Sequence, residues 1–268
     1  MRDRLRLSIL DCGAMGADKE VLLSSAAARA SRHDRHRPAT RVSLPSLVVL
    51  IEHPEGTLLW DASIGRDWQR DWAGTGIAEI VPYEDVDDDR YLDSRLRQHG
   101  YETDDIDTLV LSHLHMDHAG CAKLFDNGHT DLVVHEAEWR GASAFDGLFS
   151  GGHIKADYAH LPFQTVAGDT ELLPGVHVLE TPGHTWGTMS LFVELQEDGP
   201  MIFTSDSIYL EESITHRDWG ASVWDNRAWL ASVDKILALR ESTGATVVYG
   251  HDSRQVNMLR TGHGEYYR

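Results

Sequence analysis

Short apolar runs, many of them β-branched, recur along the chain and are separated by stretches with helical spacing. Residues 46–51 (SLVVLI) and 57–60 (TLLW) flank Glu52-His53-Pro54-Glu55-Gly56, which reads as a hairpin connection. The run 108–111 predicts a buried strand, as do 132–134, 176–179, 189–193, 201–204 and 246–249. Between them, 225–242 places Trp229, Leu230, Val233, Ile236 and Leu237 on one helical face, with Asp225 as N-cap and Gly244 beyond the end. Residues 87–99 predict a second, polar helix, and 119–125 a short one. Strands in groups with helices interposed predict an α/β protein whose helices pack outside sheets.

Composition narrows the partners. A chain of 268 residues, 41% hydrophobic, is expected to form a single domain over 1–268 with a substantial core. The net charge of -19, from 24 basic and 43 acidic residues, repels phosphate backbones and disfavours a nucleic-acid partner. No stretch approaches the apolar length of a membrane span, and the start of the chain carries no leader pattern. Two cysteines, Cys12 and Cys121, predict a reducing compartment, the cytoplasm, and no disulfide framework. The basic island 29–41 reads as a solvated loop. The glycine-rich 141–162 segment, with Phe145, Leu148 and Phe149, reads as a flap or a surface connection.

One stretch changes the picture. His113-Leu114-His115-Met116-Asp117-His118 holds four potential metal ligands in six residues. Buried imidazoles and a carboxylate satisfy one another best around a cation, and that donor mix suits zinc and its first-row neighbours. His113 and His115 follow the 108–111 strand two residues apart, so in extended backbone both face the same way. Asp117 and His118 follow as the chain turns into a helix and can address a second position. Three more candidates each trail an apolar run: His184 in Thr181-Pro182-Gly183-His184, Asp206 in Thr204-Ser205-Asp206, and His251 in Tyr249-Gly250-His251-Asp252. Ligands at strand ends converge on one sheet edge. The remaining histidines, His33, His36, His53, His129, His153, His160 and His263 among them, have no such placement and are assigned to surface or structural roles.

With His184, Asp206 and His251 in that order, the hexad resembles the metallo-β-lactamase superfamily over residues 46–252. The resemblance implies a four-layer αββα sandwich with two metals at one edge. His113, His115 and His184 are implied for the first metal, Asp117, His118 and His251 for the second, with Asp206 bridging. Zinc is the usual metal, two per chain, and iron, manganese or cobalt occur in relatives. The bridging aspartate argues against antibiotic hydrolysis. Tyr209 and the Tyr-Gly-His-Asp at 249–252 resemble the N-acyl homoserine lactone lactonases in particular. Two departures stand out: the usual Asp-Thr-Gly is Asp61-Ala62-Ser63, and the usual Gly-Gly is Gly120-Cys121. Asp61 remains, and can orient a ligand from behind.

The activity implied is lactone opening by metal-activated hydroxide, with Tyr209 stabilising the oxyanion and Asp117 carrying a proton to the leaving alkoxide. An N-acyl homoserine lactone is the leading substrate, and the expected assembly is a monomer or homodimer. Trp186, just after His184, and the aromatic residues of 141–162 are candidates to line the pocket. Alternatives are hydrolysis of another ester, thioester or phosphodiester, a mononuclear iron enzyme akin to persulfide dioxygenases, or a non-catalytic metal-binding or sensing protein.

Overall fold

A computed structural model describes residues 4–26 and 38–268; residues 29–37 of the basic island lie outside them. The first strands are β1 (Arg6–Asp18), β2 (Arg41–His53), β3 (Gly56–Trp60), β4 (Tyr83–Asp85), β5 (Thr108–Val110) and β6 (Asp131–His135). A small hairpin follows, β7 (Phe149–Ser150) with β8 (His153–Ile154), then β9 (Gln164–Val166). The last five are β10 (Thr170–Leu173), β11 (Val176–Glu180), β12 (Met189–Val193), β13 (Met201–Phe203) and β14 (Thr246–Val248). They form a seven-stranded sheet, β4-β1-β2-β3-β5-β6-β9, and a five-stranded sheet, β10-β11-β12-β13-β14.

Side-chain alternation explains how these sheets stack. Leu7, Ile9, Val49, Ile51, Leu58, Trp60 and Val110 point inward against Val176, Val178, Leu191, Val193 and Phe203 of the second sheet. Their neighbours Leu10, Val48, Leu50, Leu59 and Leu109 point outward and pack on Leu92 and Leu96 of the helix Leu92–Gln98. On the far side, Leu179, Phe192, Ile202 and Val247 pack on Trp229, Val233 and Ile236 of the helix Asn226–Thr243. Both sheets are therefore apolar on both faces, which is why their strands read as continuous hydrophobic runs. The layers are helix, sheet, sheet, helix, the αββα sandwich expected.

The long helix meets the sequence reading closely. Asp225 accepts from the Arg227 and Ala228 amides as N-cap, and Gly244 ends the helix at φ 71°. The hairpin at Pro54-Glu55 also forms, with His53 opposite Gly56. Two helices differ from expectation. The 87–99 helix begins only at Leu92, because residues 87–89 turn instead, the Asp87 carboxylate accepting from the Asp89 amide. The 119–125 segment splits into Met116–Ala119 and a 3-10 turn Ala122–Phe125. Strand β1 had no prediction. A register shift between Asp11 and Ala14, with Gly13 at φ 90°, interrupts its pairing with β2 and masks its periodicity in sequence.

Candidate metal centre

The turns after β5, β11, β13 and β14 open at one edge of the sandwich, and they carry every ligand candidate there. His113, His115, His184 and Asp206 form one group of converging donor atoms; Asp117, His118, Asp206 and His251 form another, each within 4.8 Å. Asp206 belongs to both. Its Oδ2 lies 3.1 Å from His184 Nε2 and 3.7 Å from His113 Nε2, and its Oδ1 lies 3.0 Å from His251 Nε2 and 3.2 Å from His118 Nε2. Asp117 Oδ2 faces the second pair, 3.5 Å from His118 Nε2 and 3.6 Å from His251 Nε2.

Four of the five imidazoles have a hydrogen-bond partner behind them, and His115 is instead packed among other rings. His118 Nδ1 donates to Asp61 Oδ2 at 2.8 Å, and His251 Nδ1 to the Pro45 carbonyl at 2.9 Å. His113 Nδ1 meets Ser112 Oγ at 3.0 Å, and His184 Nδ1 meets Tyr209 Oη at 2.9 Å. These partners fix ring orientation and leave the other nitrogen facing the cluster. Asp61 also accepts from the Ser112 amide at 2.7 Å, so it fastens the hexad to the end of β3. It does so in a left-handed conformation, φ 64°, uncommon outside glycine.

The electrostatics of the two groups differ. Burial drives the His113 and His115 pKa values well below the ordinary histidine value, with the neighbouring imidazoles adding to it. Burial lowers His184 as well. At His118, burial opposes charge, yet Asp117, Asp206 and Asp61 raise its pKa well above the usual value. His251 is raised too, by Asp206 against burial. Burial disfavours the Asp206 carboxylate, but His251 and His118 hold its pKa well below the usual range. His118 Nε2 and Asp206 Oδ1 are buried and face each other without a hydrogen-bond partner. Buried donors left unsatisfied this way, aimed at one point, fit a divalent metal rather than a packed core.

One histidine and a glutamate correct and extend the sequence reading. His153, assigned above to a surface or structural role, is buried and packs edge-on against His115, ring centroids 4.4 Å apart. Its segment is accordingly neither a loose flap nor a mere surface connection: the β7–β8 hairpin docks on the hexad, Met116 N–H donating to Gly152 O at 2.9 Å. A Cβ at Gly152 would sit 2.7 Å from the His115 ring, so only glycine allows this approach. Glu138, not singled out in sequence, is fully buried beside them. Burial disfavours its charge, but hydrogen bonds from His153, Thr185 and the Leu114 amide keep its pKa below the usual value. No local pattern marks either residue, since both meet the hexad only through the fold.

A cavity of about 430 Å³ opens onto the cluster. Its polar end holds His115, Asp117, His184, Asp206, Tyr209 and His251, and its body is apolar, with Met15, Leu22, Leu44, Ile77 and Val81. Tyr209 is buried, and its pKa is raised well above normal by burial and by Asp206, so the hydroxyl keeps its proton. Trp186 lines a smaller cleft of about 270 Å³ on the other side of His115 and Gly152. Leu148 is 82% exposed and Phe145 lines neither space.

The Metallo-beta-lactamase superfamily profile matches residues 42–251. An N-acyl homoserine lactonase of Bacillus sp is 30% identical over 221 residues, covering 81% of this chain and 85% of that one. N-acyl homoserine lactonase AiiB of Agrobacterium fabrum is 29% identical, covering 97% of this chain and 99% of its own. A solved N-acyl homoserine lactone hydrolase, with the product N-hexanoyl-L-homoserine bound at its catalytic metal center, superposes with a TM-score of 0.83 at 26% identity, covering 97% and 98% of the two chains. Layer order, converging donors and the long sequence match agree, and the chain belongs to the metallo-β-lactamase superfamily.

Proposed function

We propose that residues 1–268 form one dinuclear-metal hydrolase that opens a lactone ring, with an N-acyl homoserine lactone as substrate. The observation that carries this reading is the junction of two donor groups, shared at Asp206, with an apolar cavity. The lactonases similar to this chain along most of its length support the substrate class.

His113, His115 and His184 would hold one metal, Asp117, His118 and His251 the other, and Asp206 both. Zinc suits this imidazole and carboxylate set, with iron, manganese or cobalt as substitutes. When bound, the pair would activate water and polarise the ester carbonyl. The chain's own groups do the rest. Tyr209 Oη accepts from His184 Nδ1–H and keeps its own hydrogen to donate to the carbonyl oxygen as negative charge grows there. Asp117 lines the cavity, where it can pass a proton to the departing alkoxide. The apolar walls exclude water and receive the acyl chain. Both cysteines are free and buried, in keeping with a reducing, cytoplasmic setting.

The test pairs metal analysis with a panel of lactones, thioesters and phosphodiesters followed by proton release. About two metals per chain with turnover confined to lactones is the expected result. A single iron with oxygen consumption, or preferred cleavage of phosphodiesters, overturns it.

A further inference from the structure

The three histidines of the first donor group come from segments far apart in sequence: the hexad and the turn after β11. Something must hold their backbones in register, and the Glu138 carboxylate touches both. Glu138 Oε1 accepts from the Leu114 amide at 3.0 Å, and Leu114 sits between His113 and His115. Glu138 Oε2 accepts from the Gly187 amide at 3.1 Å, three residues beyond His184. A third contact brings in the β7–β8 hairpin: His153 Nε2 lies 2.9 Å from Oε1. A carboxylate only accepts, so His153 presents its Nε2–H.

We infer that Glu138 and His153 are positioning residues of the metal centre: the buried carboxylate ties the His113–His115 backbone to the His184 turn, and His153, fastened to it, forms the wall against which the His115 ring is set. This rests on the reading of those three histidines as ligands of one metal. His153 lies outside both donor groups, so it acts through His115 and not on a cation directly.

The chemistry of the hub is restrictive. Among side chains of this shape, only a carboxylate offers acceptors on both ends. Glutamine would turn an NH2 either toward Leu114 N–H and His153 or toward Gly187 N–H, setting donor against donor in a buried space. The site leaves little room for rearrangement. Glu138 is 0% exposed, and the His115 ring is bounded by His113, His184 and His153 at centroid distances of 4.6, 4.7 and 4.4 Å. Trp186 closes the outer face of His153 at 5.2 Å.

The experiment compares the full-length wild type with Glu138→Gln, His153→Leu and His153→Gln. Zinc affinity is measured by chelator competition, the visible spectrum of the cobalt-substituted protein reports ligand geometry, and kcat and KM are measured on N-hexanoyl-L-homoserine lactone. Glu138→Gln and His153→Leu are expected to bind zinc roughly 10- to 100-fold more weakly, as loss of a partner behind the ligands does elsewhere. Their cobalt spectra should shift, and kcat should fall while KM moves little. His153→Gln retains an N–H where Nε2–H was and is expected to recover most of the affinity. Wild-type affinity and spectra in Glu138→Gln and His153→Leu overturn the inference. So does a glutamine variant as impaired as the leucine one, since the hydrogen bond would then be irrelevant. If Glu138→Gln does not fold, the His153 pair still decides. Wild-type protein that binds zinc but leaves the lactone intact overturns the substrate reading alone, because affinity and spectra do not depend on the ester.

Discussion

His113, His115, Asp117 and His118 come from six consecutive residues, whereas the cavity they open onto takes its walls from Met15, Leu22, Leu44, Ile77 and Tyr209. The two regions share a boundary and obey different rules. In the cluster His113, His118, His184 and His251 each have a partner behind the ring, and a misplaced polar group would be left buried and unsatisfied. The cavity is held by apolar contact, in which shape and volume matter more than identity. The cluster should therefore decide whether the chemistry runs, and the cavity which acyl chain is admitted.

The largest effect should come at the residue common to both donor groups. Asp206→Asn is expected to lose metal and to lower kcat/KM by at least ~10³-fold, or about 4 kcal/mol of transition-state stabilisation. Metal analysis and steady-state kinetics check it; a fully active variant with normal metal content would remove Asp206 from the bridge. Tyr209→Phe tests the boundary itself. Loss of one hydrogen-bond donor near the oxyanion should cost roughly 10²-fold in kcat, measured on zinc-saturated protein because Tyr209 also stands behind His184. Unchanged turnover would return Tyr209 to a packing role.

Ile77→Trp tests the cavity side. Filling that wall should lower kcat/KM for long acyl chains by about 10-fold while short-chain lactones are little affected. Equal loss on both would mean that wall and cluster are mechanically coupled, and the contrast drawn above would fail. The last effect is one of stability and leaves turnover aside. Asp157, just beyond the hairpin that borders both regions, is buried, and burial raises its pKa to about 7, with Asp71 adding to it and Lys123 opposing. The folded state thus binds a proton more tightly than the unfolded one. Its contribution is fully present below about pH 4, the usual carboxyl value, and is lost as pH rises through about 7. Asp157→Asn should flatten that slope and raise stability at pH 8 by on the order of 2 kcal/mol, read from denaturant unfolding at pH 5 and pH 8. A wild-type protein equally stable at both pH values would contradict it.

The part of the site that was legible in sequence is the part in which neighbours in the chain are neighbours in space. The hexad and the long helix with its Asp225 cap are local patterns and appear where they were expected. His184, Asp206 and His251 were legible at one remove, each marked by the strand before it. His153 was not, because its position against His115 depends on a two-strand hairpin with no strong alternation. Glu138 is one of many acidic residues in the chain, and no prediction covered the helix Glu136–Ala144 that carries it on its buried face. Only in the fold does that face turn inward, where its carboxylate meets amides from two distant segments. Strand β1 escaped notice because its bulge breaks the period that would have announced it.

By itself, then, the chain determined its layers and its donor set. Apolar runs of strand length, alternating between two buried faces, leave few arrangements besides a stacked pair of sheets with helices outside. Imidazoles and carboxylates at strand ends likewise need a cation to satisfy them. The tertiary structure decided which side chains stand behind the donors and how wide the neighbouring cavity is. Those properties come from pairings between residues dozens of positions apart, such as Glu138 with Gly187 and His118 with Asp61. Their energies depend on burial and distance, which exist only once the sheets have closed on each other.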